Sequence, residues 1–235
     1  MADAVASVEA LGDGRCIGIT ADCTVESEVE RAFAETAAAF GSVDIAVACV
    51  GGGGTVQGKA VSTAGKSYTV AEHSTEDYMG ILALTQFATF YTCREGARRM
   101  KEQGGGGRII IIGSVMSNFA ATGSAAYSGA KASIKQMGKV MANELGGFGI
   151  TVNTIQPGWM ATLGEKRQTG HGDEYSTEES DPIPAKRMGT PQDIGASAAF
   201  LCSDEAFYIN GTSLLVDGGF SAALSLPSSS SPAKL

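Results

Sequence analysis

Residues 108–156 read RIIIIGSVMSNFAATGSAAYSGAKASIKQMGKVMANELGGFGITVNTIQ, and this stretch decides the fold. Its two ends, residues 108–114 and 150–156, are short segments rich in isoleucine, valine and threonine, which predicts strands. Between them, residues 124–146 carry apolar side chains at helical spacing. Strands that are apolar on both faces and joined by a helix are typical of a parallel sheet covered by helices on both sides.

The same alternation of strand and helix patterns extends on both sides of this stretch. Further strands are predicted at residues 15–21, 43–50 and 213–216, and further helices at 26–40, 75–103 and 191–203. Residues 51–73 and 157–190 are polar or rich in glycine and are predicted to form loops. The sequence therefore predicts one α/β domain over residues 1–220, built on a doubly wound parallel sheet, and a flexible serine-rich tail at 221–235.

Charge and composition exclude several classes of protein. The 235 residues include 17 Lys and Arg against 25 Asp and Glu, a formal net charge of −8, which argues against a nucleic-acid partner. A 43% hydrophobic and 18% charged composition excludes a largely disordered chain. Apolar runs are too short to cross a membrane, and the N-terminal residues lack the basic segment that opens a signal peptide. We therefore expect no membrane partner and no secretion.

Several residue types that often carry function are interpreted here as structural. The five cysteines are scattered and form no CxxC pair, which predicts a reducing compartment rather than disulfides or zinc. His73 and His171 lie in predicted loops outside any ligand cluster, so no metal site is expected. Residues 60–67 and 53–59 approach a phosphate-binding loop pattern. The first does not directly follow a strand, and the second lacks the metal-binding hydroxyl, so both are interpreted as loop.

The strongest chemical pattern joins a serine, a tyrosine and a lysine. Tyr127 and Lys131 are four residues apart on a predicted helix, so they share one face. An ammonium beside a phenol favours the phenolate, and the sequence thus predicts a lowered tyrosine pKa and proton exchange near neutral pH. Ser114 closes a predicted strand, and ligands bind at the carboxyl ends of strands in a parallel sheet.

Two long segments, GRIIIIGSVMSNFAATGSAAYSGAKASIKQMGKVMANELGGFGITVNTIQPGWMAT and RMGTPQDIGASAAFLCSDEAFYINGTSLLVDGG, resemble the short-chain dehydrogenase/reductase family. The resemblance covers roughly residues 2–220 and joins the serine, the YxxxK pair, a proline-glycine pair and VDGG. It implies a Rossmann-like doubly wound sheet and an NAD(P)(H)-dependent enzyme, with no indication of which cofactor is preferred. The PGWxxTxGE segment is reminiscent of the family's sugar and glucose dehydrogenase-like members.

The resemblance also implies roles for the three chemical residues. Tyr127 would be the general acid and base. Lys131 would hold the ribose hydroxyls of the nicotinamide and keep the tyrosine pKa low. Ser114 would position the carbonyl or alcohol of the substrate, with Ser117 as a runner-up for that role. Thr85 aligns with the family's active-site asparagine, which holds a water molecule in the proton relay.

Further residues would contact the cofactor or the substrate if the resemblance holds. Pro157, Gly158 and Thr162 would lie against the nicotinamide, and Gly51 would pass close to the cofactor. Asp22 would contact the adenine. Trp159, next to the proline-glycine pair, either lines the substrate pocket or simply packs.

The sequence departs from the family at its start. Residues 1–235 contain no glycine-rich TGxxxGxG turn, the element that binds the cofactor pyrophosphate at a helix N-terminus. About 40 residues are absent relative to the family, which implies a sheet truncated at its N-terminal side, with the first βαβ unit missing. The NNAG motif of the family is replaced by residues 48–51, ACVG.

Two functions follow as alternatives. The first is an oxidoreductase that interconverts a secondary alcohol, with a sugar or polyol as one candidate, and a ketone. The second is a truncated, cofactor-deficient relative with a binding or regulatory role. The family resemblance implies a homodimer or homotetramer. The last residues, Ala233-Lys234-Leu235, resemble a peroxisomal address, with the cytoplasm as the alternative.

Overall fold

The structure is a computed structural model that describes residues 1–12, 14–52, 69–161 and 182–223, together with the backbone of 54–56 and 59–61. Thr162, His171 and the C-terminal tripeptide lie outside these residues. The helices are α1 (Ala2–Glu9), α2 (Glu26–Phe40), α3 (Thr75–Leu82), α4 (Ala88–Gln103), α5 (Ala125–Leu145) and α6 (Pro191–Cys202). The strands are β1 (Ile45–Ala48), β2 (Gly54–Val56), β3 (Lys59–Val61), β4 (Gly107–Ile112), β5 (Ile150–Pro157) and β6 (Ser213–Val216).

In the described part of the chain, β1, β4, β5 and β6 form a parallel sheet in the order β1-β4-β5-β6. One face, around Ile109, Ile111 and Val152, packs against α4 and α5. The other face, around Ile110 and Ile155, packs against α6. Because every strand of this four-stranded sheet is parallel and both faces of β4 and β5 are buried, the predicted α/β Rossmann-like architecture is confirmed.

Local sequence explains where the helices begin and end. Glycines in the left-handed conformation follow α2 at Gly41 and α4 at Gly104, where a side chain would be strained. The α6 helix begins with a capping box between Thr190 and Asp193, and Pro191 takes the first helical position. These signals are local, which is why both bounds of α2 and α6, and the end of α4, agree with the predicted bounds within a residue.

The strand predicted at residues 15–21 is wrong. That segment has no strand assignment, and among the described residues its backbone pairs with no strand. It is tied instead by side chains: the Arg15 guanidinium donates to the Ala39 carbonyl and lies over the Phe40 ring. An apolar pattern without a neighbouring strand does not suffice for a strand.

Two other predictions need correction. The loop predicted at residues 51–73 contains the antiparallel pair β2 and β3 and a short 3₁₀ turn at Val70–Glu72. The single helix predicted at 75–103 is divided by a π-helical segment, Ala83–Phe87, between α3 and α4. A π segment inserts a residue into the helical repeat, and hydrophobic spacing does not reveal it.

The outer side of the sheet at β1 carries apolar side chains in solvent. Ile45 and Val47 are 50% and 45% exposed, while Ala46 and Ala48 on the opposite face are buried. Among the described residues β1 is an edge strand. The missing βαβ unit stays a prediction. No helix of the described residues combines the length and apolar character needed to cross a membrane.

Candidate active site

The carboxyl end of β4 delivers Ser114 to the sheet edge where ligands bind. Its side chain is buried, and its Oγ accepts a hydrogen bond of 3.1 Å from the Met116 amide. That bond caps the 3₁₀ turn Val115–Ser117 and leaves the hydroxyl hydrogen available. The Ser117 hydroxyl instead donates to the Ser114 carbonyl at 2.7 Å, so this runner-up is engaged with backbone.

Tyr127 lies in the first turn of α5, packed against Ile81 and Ala126. Burial raises the pKa of its phenol, and a hydrogen bond with the Ser114 hydroxyl lowers that pKa only in part. The sequence prediction of a lowered tyrosine pKa is therefore wrong for the protein alone. Burial disfavours the phenolate more than the neighbouring groups stabilise it.

Lys131 follows one turn later and is 4% exposed. Its Nζ donates to the Ile112 carbonyl at 2.8 Å and lies 5.7 Å from the centre of the Tyr127 ring. Burial lowers the pKa of Lys131 to about 8, and a Coulombic interaction with Cys49 opposes this shift. The ammonium is thus held by the end of β4 beside the phenol, with two donor hydrogens left for other partners.

Gly51 makes this arrangement possible because it passes close to the lysine. Its φ is +129°, and a Cβ at this position would lie 3.2 Å from both Thr85 Oγ1 and Thr85 Cγ2 and 3.3 Å from Lys131 Nζ. A side chain would therefore be strained by backbone conformation and by contact. Glycine leaves open a cleft between the end of β1 and the lysine.

Replacing Gly51 with alanine should lower the free energy of unfolding by about 2 to 3 kcal/mol, since backbone strain adds to the contact with Thr85 and Lys131. Gly52→Ala is the matched control, because Gly52 also has a positive φ of +103° but nothing lies within 4 Å of its Cβ position. Urea unfolding of both variants separates the two causes. Equal losses would show that the close contact at Gly51 contributes nothing.

Thr85 lies within the π segment and is fully buried. Its carbonyl accepts from the Thr89 hydroxyl at 2.7 Å, whereas its own Oγ1 has no hydrogen-bond partner in the described chain. A buried hydroxyl without a partner is unfavourable by itself and marks a place for a further polar group. Thr85, Lys131 and Gly51 therefore share one small polar space.

The structure also locates the remaining residues predicted from sequence. Pro157 ends β5, and Gly158 donates to the Val216 carbonyl at 3.0 Å, with room only for hydrogen beside Asp217. Trp159 stacks on Phe220 and is 44% exposed. Asp22 lies elsewhere, at the approach to α2, where its carboxylate accepts from the amide and hydroxyl of Thr24.

Some features of the site carry no sequence signal that could have revealed them. The Ile112 carbonyl that holds Lys131 is a backbone atom, and the Coulombic partner Cys49 is a residue distant in sequence. The π segment around Thr85 is a third. Spacing along a chain does not report these contacts across the sheet edge.

The residues fit a nicotinamide dinucleotide at one end. The orphaned Thr85 hydroxyl, the space at Gly51 and the unused donors of Lys131 form a polar cleft for ribose hydroxyls. Tyr127 and Ser114 stand next to that cleft, where an oxygen of a second molecule would receive or lose a proton.

Comparison with known proteins finds relatives of this chain both by sequence and by fold. A family profile described as enoyl-(acyl carrier protein) reductase matches residues 1–221. The chain is 33% identical over 224 residues to 2-dehydro-3-deoxy-D-gluconate 5-dehydrogenase of Dickeya dadantii (strain 3937), covering 94% of this chain and 81% of the relative. It is 34% identical over 205 residues to D-threitol dehydrogenase of Mycolicibacterium smegmatis, covering 86% and 72%.

Among solved structures, a gluconate 5-dehydrogenase from Burkholderia cenocepacia J2315 in complex with NADP and tartrate matches with a TM-score of 0.73. The identity is 26%, and the match covers 86% of this chain and 74% of that one. The fold and a profile that spans nearly the whole chain agree. The chain belongs to the short-chain dehydrogenase/reductase family.

Proposed function

We propose that the protein is an NAD(P)(H)-dependent oxidoreductase that interconverts a secondary alcohol, of the sugar or polyol class, and the corresponding ketone. The observation that carries the proposal is the convergence of the Ser114 hydroxyl, the Tyr127 phenol and the Lys131 ammonium at the end of β4. The names of two relatives, a sugar-acid dehydrogenase and a threitol dehydrogenase, support the substrate class.

Tyr127 handles the proton. Because burial raises its pKa, the phenol is protonated at neutral pH and is ready to donate to a carbonyl oxygen. Ser114 has a hydroxyl hydrogen that is free to turn from the phenol to the same oxygen, which holds the substrate in line. In the reverse direction Tyr127 must first lose its proton, so alcohol oxidation should increase with pH.

Lys131 and its neighbours would hold the cofactor. Two of its donor hydrogens are available for the ribose hydroxyls, and Thr85 Oγ1 would gain a partner in the same space, directly or through water. Gly51, Pro157 and Gly158 would pass beside the nicotinamide. Thr162 is expected at the same place from sequence alone. Asp22 would contact the adenine. The cofactor supplies or accepts the hydride when it is bound. NAD and NADP both remain candidates.

Ser114→Ala should lower kcat/KM for carbonyl reduction by roughly 100-fold, the usual effect of removing one hydrogen-bond donor to a reacting oxygen. The assay follows NADPH and NADH oxidation against a panel of sugar and polyol ketones. Ser117→Ala is the control, since that hydroxyl is bonded to the Ser114 carbonyl. If the two variants lose activity equally, Ser114 does not hold the substrate. If the wild-type chain turns over no member of the panel, the proposed activity fails.

A second function is favoured by one observation, the exposed apolar face of β1 at Ile45 and Val47. Among the described residues β1 is also an edge strand, and an open apolar face on such a strand suits a partner molecule. The protein would then be a cofactor-deficient relative with a binding or regulatory role. Saturable binding of NADPH or NADH by the 235-residue chain would exclude this alternative.

We further propose that the protein is a homodimer or homotetramer that pairs through α4 and α5. A cavity of about 290 Å³ between these helices is lined mainly by apolar side chains, among them Phe90, Met137 and Val140, together with the charged residues Arg94 and Glu144. Val140 is 49% exposed. Such a mainly apolar groove suits a second copy of the chain.

We propose separately that the final tripeptide, Ala233-Lys234-Leu235, is a peroxisomal address, with the cytoplasm as the alternative location. This proposal rests on the sequence alone.

A further inference from the structure

Three aromatic side chains gather at the carboxyl ends of three adjacent strands. Phe119 follows β4, Trp159 follows β5 and Phe220 follows β6. The Trp159 and Phe220 rings stack with centres 5.3 Å apart and planes 29° apart, and Phe119 meets Phe220 edge-on at 6.5 Å. Since Ser114 lies at the same edge of the sheet, this aromatic stack borders the proposed reaction site.

Hydrogen bonds of Asp217 hold the turn that carries Phe220, whereas the other two rings of the stack are partly exposed to solvent. The Asp217 carboxylate accepts from the Gly219 and Ser221 amides at 3.0 and 2.8 Å, which fixes the turn that carries Phe220. Trp159 and Phe119 are nevertheless 44% and 42% exposed. The rings are therefore held together by mutual contact and by the turn, and they remain accessible to a molecule at this edge of the sheet.

A cavity of about 370 Å³ adjoins Phe119 and reaches the start of α5. Its lining includes Phe119, Val70, the N-cap residue Ser124 and Ser128 of the first turn. Tyr127 is the neighbour of Ser128 in that turn. A molecule seated against Phe119 therefore has a mainly apolar wall on one side and hydroxyl groups on the other.

We propose that the Phe119–Phe220–Trp159 stack binds the apolar face of a ring, so that the preferred substrate is a cyclic secondary alcohol or ketone. The inference rests on the proposed function and narrows its substrate class. A ring offers a flat C–H face to an aromatic surface and loses little conformational freedom on binding. An open-chain polyol presents no such face and must be ordered at each rotatable bond.

The activity test uses two matched pairs of substrates: cyclohexanol against 2-hexanol, and myo-inositol against D-glucitol. The first pair presents an apolar ring and the second a ring with the hydroxyls of a sugar, so the two pairs identify which kind of ring is preferred. Phe119→Leu should lower kcat/KM for the ring member of the preferred pair about 3- to 10-fold and change the open-chain member less than about 2-fold. Phe148→Leu is the control, because Phe148 is also 50% exposed but precedes β5, at the opposite end of the sheet.

Fluorescence gives a readout that does not require turnover. Trp159 is the single tryptophan of the chain, so its emission reports directly on the stack. A bound ring should move the emission to shorter wavelength in a saturable way, and Phe119→Leu should weaken that binding by the same factor. In activity assays Trp159→Phe should retain the ring preference and Trp159→Leu should lose it.

The outcomes separate this inference from the proposed function. Equal kcat/KM within each substrate pair, with normal turnover, would overturn the ring preference and leave the oxidoreductase intact. An absence of turnover together with a saturable fluorescence shift would overturn the oxidoreductase and support the ring site. An emission that no ring compound changes would overturn the ring site whatever the activity.

Discussion

Tyr127→Phe is expected to lower kcat/KM about 1000-fold for both carbonyl reduction and alcohol oxidation, within the range that general acid-base groups contribute. The substitution removes only the phenol oxygen, which hydrogen-bonds with Ser114, and keeps the ring that packs against Ile81 and Ala126. The fold and the proposed cofactor site at Lys131 should therefore persist. Steady-state turnover with NADPH or NADH and the ketone panel measures the loss.

The matched control is Tyr78→Phe, which removes a phenol oxygen beside the same helix, 3.7 Å from the Cβ position of Gly129. We expect wild-type turnover from it. The pH profile gives a second check: because burial raises the Tyr127 pKa, wild-type alcohol oxidation should increase towards alkaline pH, and the residual activity of Tyr127→Phe should lack that rise. Full activity in Tyr127→Phe would contradict the mechanism.

Lys131→Met is expected to abolish measurable turnover and, at neutral pH, to raise the free energy of unfolding by about 1 to 2 kcal/mol. The lowering of the Lys131 pKa from 10.5 to about 8 corresponds to an unfavourable burial of the ammonium of about 3 kcal/mol. Methionine has a similar shape and no charge. It also leaves the Ile112 carbonyl without its donor, and this loss lowers the free energy of unfolding by about 1 to 2 kcal/mol, which offsets part of the gain.

The pH dependence of this gain has a defined sign. Between about 8 and 10.5 the unfolded chain binds the lysine proton and the folded chain does not, so wild-type stability increases with pH across that interval. The stability difference between Lys131→Met and wild type should therefore be largest below about pH 8 and shrink above it. Urea unfolding at several pH values measures it, with Lys139→Met as the control at an exposed lysine of the same helix. If Lys131→Met were less stable than wild type at every pH, burial of the Lys131 ammonium would not lower the free energy of unfolding.

The sequence predicted the parts of the molecule that depend on local pattern. The strand at 108–114 and the helix at 124–146 were placed within a residue or two of β4 and α5, because one is apolar on both faces and the other has helical spacing. The YxxxK spacing placed Tyr127 and Lys131 on one helical face for the same reason. Agreement is best where the nearest neighbours in sequence are also the nearest in space.

Predictions failed where the outcome depends on distant neighbours. Residues 15–21 have the composition of a strand, but a strand requires a hydrogen-bonding partner that the sequence pattern does not report. The Tyr127 pKa was expected to fall because Lys131 is near, yet burial of both groups outweighs their proximity. The Phe119–Phe220–Trp159 stack joins residues 40 to 101 positions apart, so only the order of the strands brings them together.

The π segment at Ala83–Phe87 fixes how α4 is rotated about its axis relative to α3. Ile81 before it faces Tyr127, while Gly96 after it lies against Ala46 of β1. One residue advances a helix by about 100°, so a deletion within this segment would turn all of α4 away from the sheet. Apart from Thr85, these positions are therefore expected to tolerate several side chains, whereas a change in their number would not be tolerated.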